Sequence, residues 1–333
     1  MVKSFTKSIK IAIISKRKGI IKMSFDRLLE SIVEKQNPTA VGLDPALDYI
    51  PEFIKDEAFS KHGENFTGAA EAVIVFNKMI IDEIYTEVAA IKPQSAYFEL
   101  LGYEGVRALY ETIEYAKSKG LFVITDAKRN DIGSTMEAYA KAYLGETLLK
   151  TASVPAFGSD ALTVNGYLGS DGIKPLLDIC KANDCGIFVL AKTSNPSSGE
   201  LQDRELDGKP VYEVMGEMIE GWGTAGKYGY TEVGAVVGAT YPEQLNSLRD
   251  KLKNTLFLIP GYGAQGGGAE DVKYAFDRHG NGAVINAARS VMLAYKKEDC
   301  NPLDFAKAAK REVLRMKEEF LKVVGGKYEL YPR

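Results

Sequence analysis

The sequence predicts an α/β protein folded as a single (β/α)8 TIM barrel, and three observations carry that reading. Eight short apolar runs of strand character alternate with stretches of helical spacing along 333 residues. No linker or shift of composition divides them, so one catalytic domain accounts for residues 23–333. Charged and polar residues collect just after the apolar runs, where parallel α/β sheets place their chemistry. A doubly wound sheet rarely needs eight parallel strands in this rhythm.

In chain order, Phe25, Leu28, Leu29, Ile32 and Val33 keep helical spacing until Asn37-Pro38 stops them. Thr39 to Leu43 is the first strand, ending at Asp44-Pro45, and a long connection carries a helix from about Ala69 to Ile84. Val88 to Ile91 is the second strand, with Lys92-Pro93 at its end, and a helix over Gly105 to Lys119 follows. Leu121 to Thr125 is the third strand, continuous and β-branched-rich as a strand buried on both faces requires. A helix from Met136 to Leu144, strand four over Ala161 to Val164, and a helix from Lys174 to Ala182 come next. Strand five, Gly186 to Ala191, ends at Lys192-Thr193-Ser194 and opens a polar loop reaching about Pro210. A helix over Tyr212 to Trp222, strand six (Val233 to Val237), a helix over Pro242 to Leu252 and strand seven (Leu256 to Ile259) complete the third quarter. A glycine-rich turn, strand eight (Ala283 to Ile285) and a helix from Pro302 to Val323 close the chain.

The stretch after strand three is the densest in charge. Asp126 and Lys128 are two apart, so an extended chain sends both side chains from one face, and Asp131 follows past the bend. Ser134 with Glu137 three residues on has the spacing of a capping box for the next helix.

Composition removes several function classes. A net charge of −3 with 26% charged residues implies no nucleic-acid partner. No run reaches the roughly 18 apolar residues of a membrane span. Cys180, Cys185 and Cys300 form no paired metal-ligand pattern, so reduced thiols, a cytoplasmic location and no metal site are expected. Two distant histidines, His62 and His279, make a Ser-His-Asp or Cys-His system a poor fit, which leaves acid–base work to lysine and carboxylates. Residues 1–22 carry Lys3, Lys7, Lys10, Lys16, Arg17, Lys18 and Lys22 and no acid. They are expected to be a disordered extension, or upstream sequence read from an early start codon, with Met23 the true beginning.

If the barrel closes, Asp44, Lys92, Asp126, Lys128, Thr193, Ser194, Gln265 and Arg289 converge at one mouth. The glycine turn after strand seven, with Arg289 on the next strand, suits a phosphate held by backbone N–H groups and a guanidinium. The motif Asp126-Ala127-Lys128-Arg129-Asn130-Asp131-Ile132-Gly133, together with Gly42-Leu43-Asp44-Pro45, Lys92-Pro93-Gln94, Lys192-Thr193-Ser194-Asn195-Pro196, Val237-Gly238-Ala239-Thr240, Pro260-Gly261, Gly263-Ala264-Gln265-Gly266-Gly267 and Ile285-Asn286 with Arg289, resembles the orotidine 5′-phosphate decarboxylase family in its longer bacterial subgroup. The resemblance runs from Ser24 to the C-terminus.

The resemblance implies a homodimeric barrel that converts orotidine 5′-monophosphate to UMP and CO2 without a cofactor. Carried over by position, Lys92, Asp126, Lys128 and Asp131 are the catalytic charge array, and Asp131, Ile132 and Thr135 reach into the partner's site. Asp44 binds the ribose, Thr193 and Ser194 the pyrimidine, Pro260 lines the base pocket, and Gln265 and Arg289 hold the phosphate. Lys128 between carboxylates is expected to stay protonated and to supply the proton. Asn130 in place of the usual Gly, Gly166 where the subgroup often has Pro, and Ala287-Ala288 before Arg289 depart from the pattern. Three alternatives stand beside it: a Mg2+-dependent keto-sugar-phosphate decarboxylase or aldolase of the same barrel type, a lysine Schiff-base aldolase, and a non-catalytic phosphate-binding barrel.

Overall fold

The computed structural model describes residues 24–263 and 266–332. The basic segment 1–22 and Gln265 therefore lie outside the described residues. Eight strands close into an all-parallel barrel in sequence order: β1 (Thr39–Leu43), β2 (Ala90–Pro93), β3 (Phe122–Arg129), β4 (Ala161–Val164), β5 (Gly186–Lys192), β6 (Val233–Val237), β7 (Phe257–Ile259) and β8 (Ala283–Ala287), with β8 returning to β1. Parallel strands buried on both faces need apolar, largely β-branched sequence, and β1, β2, β4, β6, β7 and β8 are buried at every position. The register Gly42↔Lys92 and Thr39↔Ile285 brings the strand ends to a common rim.

The N-terminal helix α1 (Ser24–Lys35) plugs the opposite end. Phe25 is fully buried, its ring centroid 4.7 Å from that of Phe188 on β5. Gly186 makes that plug possible, because a Cβ there would lie 2.7 Å from the Phe25 ring. The outer layer follows as α2 (Glu52–His62), α3 (Phe66–Ile84), α4 (Ser95–Glu99), α5 (Gly102–Ser118), α6 (Gly133–Leu144), α7 (Ser170–Asn183), α8 (Val211–Trp222), α9 (Pro242–Lys251), three short helices, and the closing helix Phe305–Val323. That closing helix packs on α3 through stacked Phe76 and Phe305 rings 5.1 Å apart.

Three local expectations change. The long connection after β1 holds α2, whose buried face is only Ile54 and Ala58. Strand β3 does not stop at Thr125 but runs through the charges to Arg129, with a bulge in its pairing to β4 between Thr125 and Arg129. The Ser134–Glu137 capping box does not form. Helix α6 begins at Gly133, which puts Ser134 inside the first turn, while the Asp131 carboxylate accepts from the Ile132 N–H at 2.8 Å.

Candidate active site

A cavity of about 700 Å3 opens at the C-terminal rim of the barrel, within the size range of small-molecule sites. Asp44, Lys92, Asp126, Lys128, Thr193, Ser194, Pro260 and Arg289 all line it. Asp131, Ile132 and Thr135 do not; Ile132 is 52% exposed and Thr135 is also exposed.

At the centre is Asp126, buried, with two donors on each oxygen. Lys92 Nζ (2.6 Å) and Gln94 Nε2 (3.0 Å) donate to Oδ2. Lys128 Nζ and Thr163 Oγ1 donate to Oδ1, both at 2.7 Å. Burial pushes the Asp126 carboxyl up, yet the Lys92 and Lys128 ammonium groups override it and hold the group well below the usual carboxylate range. Burial pulls Lys92 down, but Asp126 and Asp44 together raise it, so the fully buried ammonium keeps its charge.

Asp126 and Lys128 meet as the two-residue spacing requires, but not on a plain extended strand. Lys128 has φ +48°, a left-handed conformation uncommon for a residue with a side chain. The β3 bulge and Thr163 hold it there: the Lys128 N–H donates to Thr163 Oγ1 at 3.0 Å while that hydroxyl donates to Asp126. Thr163 therefore fixes both members of the pair. Its strand position is evident in the sequence, but no local pattern singles it out. Gln94 stands in the Lys92-Pro93-Gln94 motif, whereas Tyr97, which also lines the cavity, carries no signal of its own.

The adjoining wall, at the ends of β1 and β8, is built differently. Asp44 Oδ1 and Asn286 Oδ1 are buried without a hydrogen-bond partner among the described residues. Burial raises the Asp44 carboxyl above its ordinary value; Lys92 opposes that shift and Asp126 adds to it. Gly42 keeps this wall open, since a Cβ there would lie 2.5 Å from Ala288 Cβ. Arg289 is exposed at the cavity edge.

Two expectations about ligand groups are revised. The glycine turn after β7 spends the N–H groups of Gly263, Gly266 and Gly267 on its own closure, and the Gly268 N–H donates to Asp271. Those four amides are thus not the phosphate cradle that the glycine run suggested. Thr193 lines the cavity, but its hydroxyl donates to Asn195 and accepts from Gln202, and its N–H donates to Gln202. Ser194 is the member of that pair left to face a ligand.

The eight-stranded barrel agrees with comparisons to known proteins. Residues 73–299, from α3 through β8, match the model of the orotidine 5′-phosphate decarboxylase / HUMPS family. The chain belongs to that family. An orotidine 5′-phosphate decarboxylase of Rhodopirellula baltica is 45% identical over 275 residues, 82% of this chain and 89% of its own. One from Clostridium perfringens strain SM101 is 40% identical over 305 residues, 91% of this chain and 99% of its own. The OMP decarboxylase structure of Leishmania donovani is 30% identical with a TM-score of 0.67, covering 89% of this chain and 99% of that one. The UMP synthase structure of the same organism reaches 0.68 at 31% identity, with 89% of this chain on 57% of the larger one. The matched span holds strands β2 to β8.

Proposed function

We propose that the chain decarboxylates orotidine 5′-monophosphate to UMP and CO2, with Lys128 as proton donor and no cofactor. The observation that carries the assignment is the Lys92–Asp126–Lys128 array, with Asp126 saturated by donors inside a cavity of nucleotide size. Asp44 takes the ribose, Ser194 the pyrimidine edge with Thr193 holding the backbone behind it, Pro260 the base face, and Arg289 with Gln265 the phosphate. The C6–carboxylate bond breaks, CO2 leaves with no electrons from that bond, and the pair stays on C6 as a carbanion. The Lys128 ammonium lies beside that carbon, stabilises the pair and transfers its proton to it.

Magnitudes limit what Asp126 does. Two like charges ~4 Å apart at an effective dielectric near 20 repel by about 4 kcal/mol, whereas the most demanding enzymes lower barriers by ~20 kcal/mol. Repulsion of the substrate carboxylate by Asp126 is therefore the lesser part. The greater part is preorganisation: the array has its charges fixed before substrate arrives, and phosphate binding holds the reacting ring against it.

Asp131, Ile132 and Thr135 belong in this reading to the neighbour's site in a homodimer of the cytoplasm. All three stand outside their own cavity, with Ile132 and Thr135 exposed and Asp131 half-buried, which supports that assignment. The test is the absorbance change of orotidine 5′-monophosphate with and without EDTA. Turnover that persists in EDTA is expected; no absorbance change in either arm overturns the assignment, and turnover abolished by EDTA and restored by Mg2+ overturns its cofactor independence.

A further inference from the structure

Lys192, the last residue of β5, is a fully buried lysine that the mechanism does not use. Its Nζ donates to Asp203 Oδ1 at 2.7 Å and to Ser198 Oγ at 3.1 Å, and lies 4.6 Å from the Tyr241 ring centroid. Asp203 is partly exposed and comes from the polar segment that follows β5. The next residue on each side repeats the connection, because Gln202 takes the N–H and hydroxyl of Thr193 with both ends of its amide. Residues 192–193 are thus clasped by residues 202–203, and Ser194 is the first residue beyond the clasp. Its backbone is pressed from the other side by Gly238, where a Cβ would lie 2.8 Å from Ser194 Cβ.

A buried ammonium is costly to hold unless it is paired and hydrogen-bonded, and an aromatic face adds to that pairing. An apolar residue at position 192 would secure the strand end more simply. A charge there instead makes the strand end depend on one carboxylate from the loop, which fixes a single loop register.

We propose that Lys192 is a positioning residue: with Asp203 it latches the segment 195–206 to the end of β5, and so keeps Ser194 aimed at the pyrimidine of the nucleotide. This rests on the reading above that Ser194 contacts the base. The latch touches no reacting atom. Its loss acts on recognition of the base and leaves the phosphate end of the cavity alone.

The experiment compares binding of UMP and of ribose 5-phosphate by calorimetry in the wild type, Lys192→Met, Asp203→Asn and Ser194→Ala. Lys192→Met and Asp203→Asn are expected to weaken UMP by about tenfold or more, the scale of a lost charged hydrogen bond. Ribose 5-phosphate affinity should stay within about twofold, a small change in binding free energy. KM for orotidine 5′-monophosphate should rise more than kcat falls. Adding Ser194→Ala to Lys192→Met should cost little more, because Ser194 is already displaced. If Lys192→Met does not fold, Asp203→Asn carries the same comparison.

Equal weakening of both ligands, or unchanged UMP affinity in the latch variants while Ser194→Ala weakens it, overturns the latch and leaves the base assignment standing. No effect of Ser194→Ala on UMP overturns the base assignment, and the latch with it.

Discussion

On the β2–β3 side of the cavity every charge is met before a ligand arrives: Asp126 accepts four donors, and Lys92 is paired and buried. On the adjoining β8–β1 side, Asp44 Oδ1 and Asn286 Oδ1 are equally shielded from water and have no partner among the described residues. The physical consequences are opposite. The first wall is stable as it stands, and its electrostatics are fixed in advance, as preorganised catalysis requires. The second carries acceptors that a donor entering the cavity can satisfy, as suits a binding surface. Under the proposed function, one pocket separates catalysis, built on satisfied groups, from recognition, built on unsatisfied ones.

The largest test of this contrast removes Lys128, the proposed proton donor. Lys128→Ala is expected to reduce turnover by more than about 10⁴-fold, the upper range for a general acid, while UMP binding measured by calorimetry persists. Substantial residual turnover would sink the proton-donor role and the division between the walls. Next in size is Asp126→Asn. It leaves Lys92 buried without its main charge partner, a change that costs about 3–5 kcal/mol in comparable pairs. Because the folded Asp126 titrates below its ordinary value, its contribution is fully present above about pH 4 and is lost as pH falls through the folded value. Denaturant unfolding should therefore show the gap between wild type and Asp126→Asn narrowing on acidification. A gap that widened below pH 4 would contradict the assignment.

A third test asks whether the catalytic wall is complete within one chain. Asp131→Ala and Lys128→Ala proteins, each impaired, should regain part of their activity when unfolded together and refolded, since mixed dimers would carry one intact site. Absence of recovery, with hybrids verified by mass spectrometry, would count against shared sites.

The barrel was legible because parallel strands buried on both faces must be apolar, and all eight runs stand out for that reason. Asp44, Lys92, Asp126 and Lys128 were legible because each falls at a strand end, and the barrel brings those ends together. Thr163 was not, since a threonine in a strand looks like any β-branched residue until Lys128 is seen in the left-handed region across from it. Gln202 and Asp203 were likewise hidden, because their partners are set by how the loop folds back and not by spacing. Helix α2 escaped because Ile54 and Ala58 give too narrow an apolar face for periodicity to register. The capping box at Ser134 misled for the converse reason: a valid local pattern gave way to a chain path set by the β3 bulge.

The smallest effect discriminates most finely between the walls. Burial raises the Asp44 carboxyl above its ordinary value, so the fold favours its protonated form. That favourable contribution is present below the unfolded value near 4 and is lost as pH rises through the folded value. At neutral pH the ionised Asp44 therefore weakens the ligand-free protein. Asp44→Asn removes the charge and keeps the shape, and should stabilise the ligand-free fold by about 1 kcal/mol, within the range of changes that trade function for stability. The same variant should bind UMP about tenfold more weakly, because a charged acceptor for the ribose hydroxyls is gone. Thermal unfolding without ligand and UMP calorimetry measure the two signs separately. If Asp44→Asn instead destabilises the ligand-free protein as Asp126→Asn does, Asp44 belongs to the prebuilt array and the division between the two walls fails.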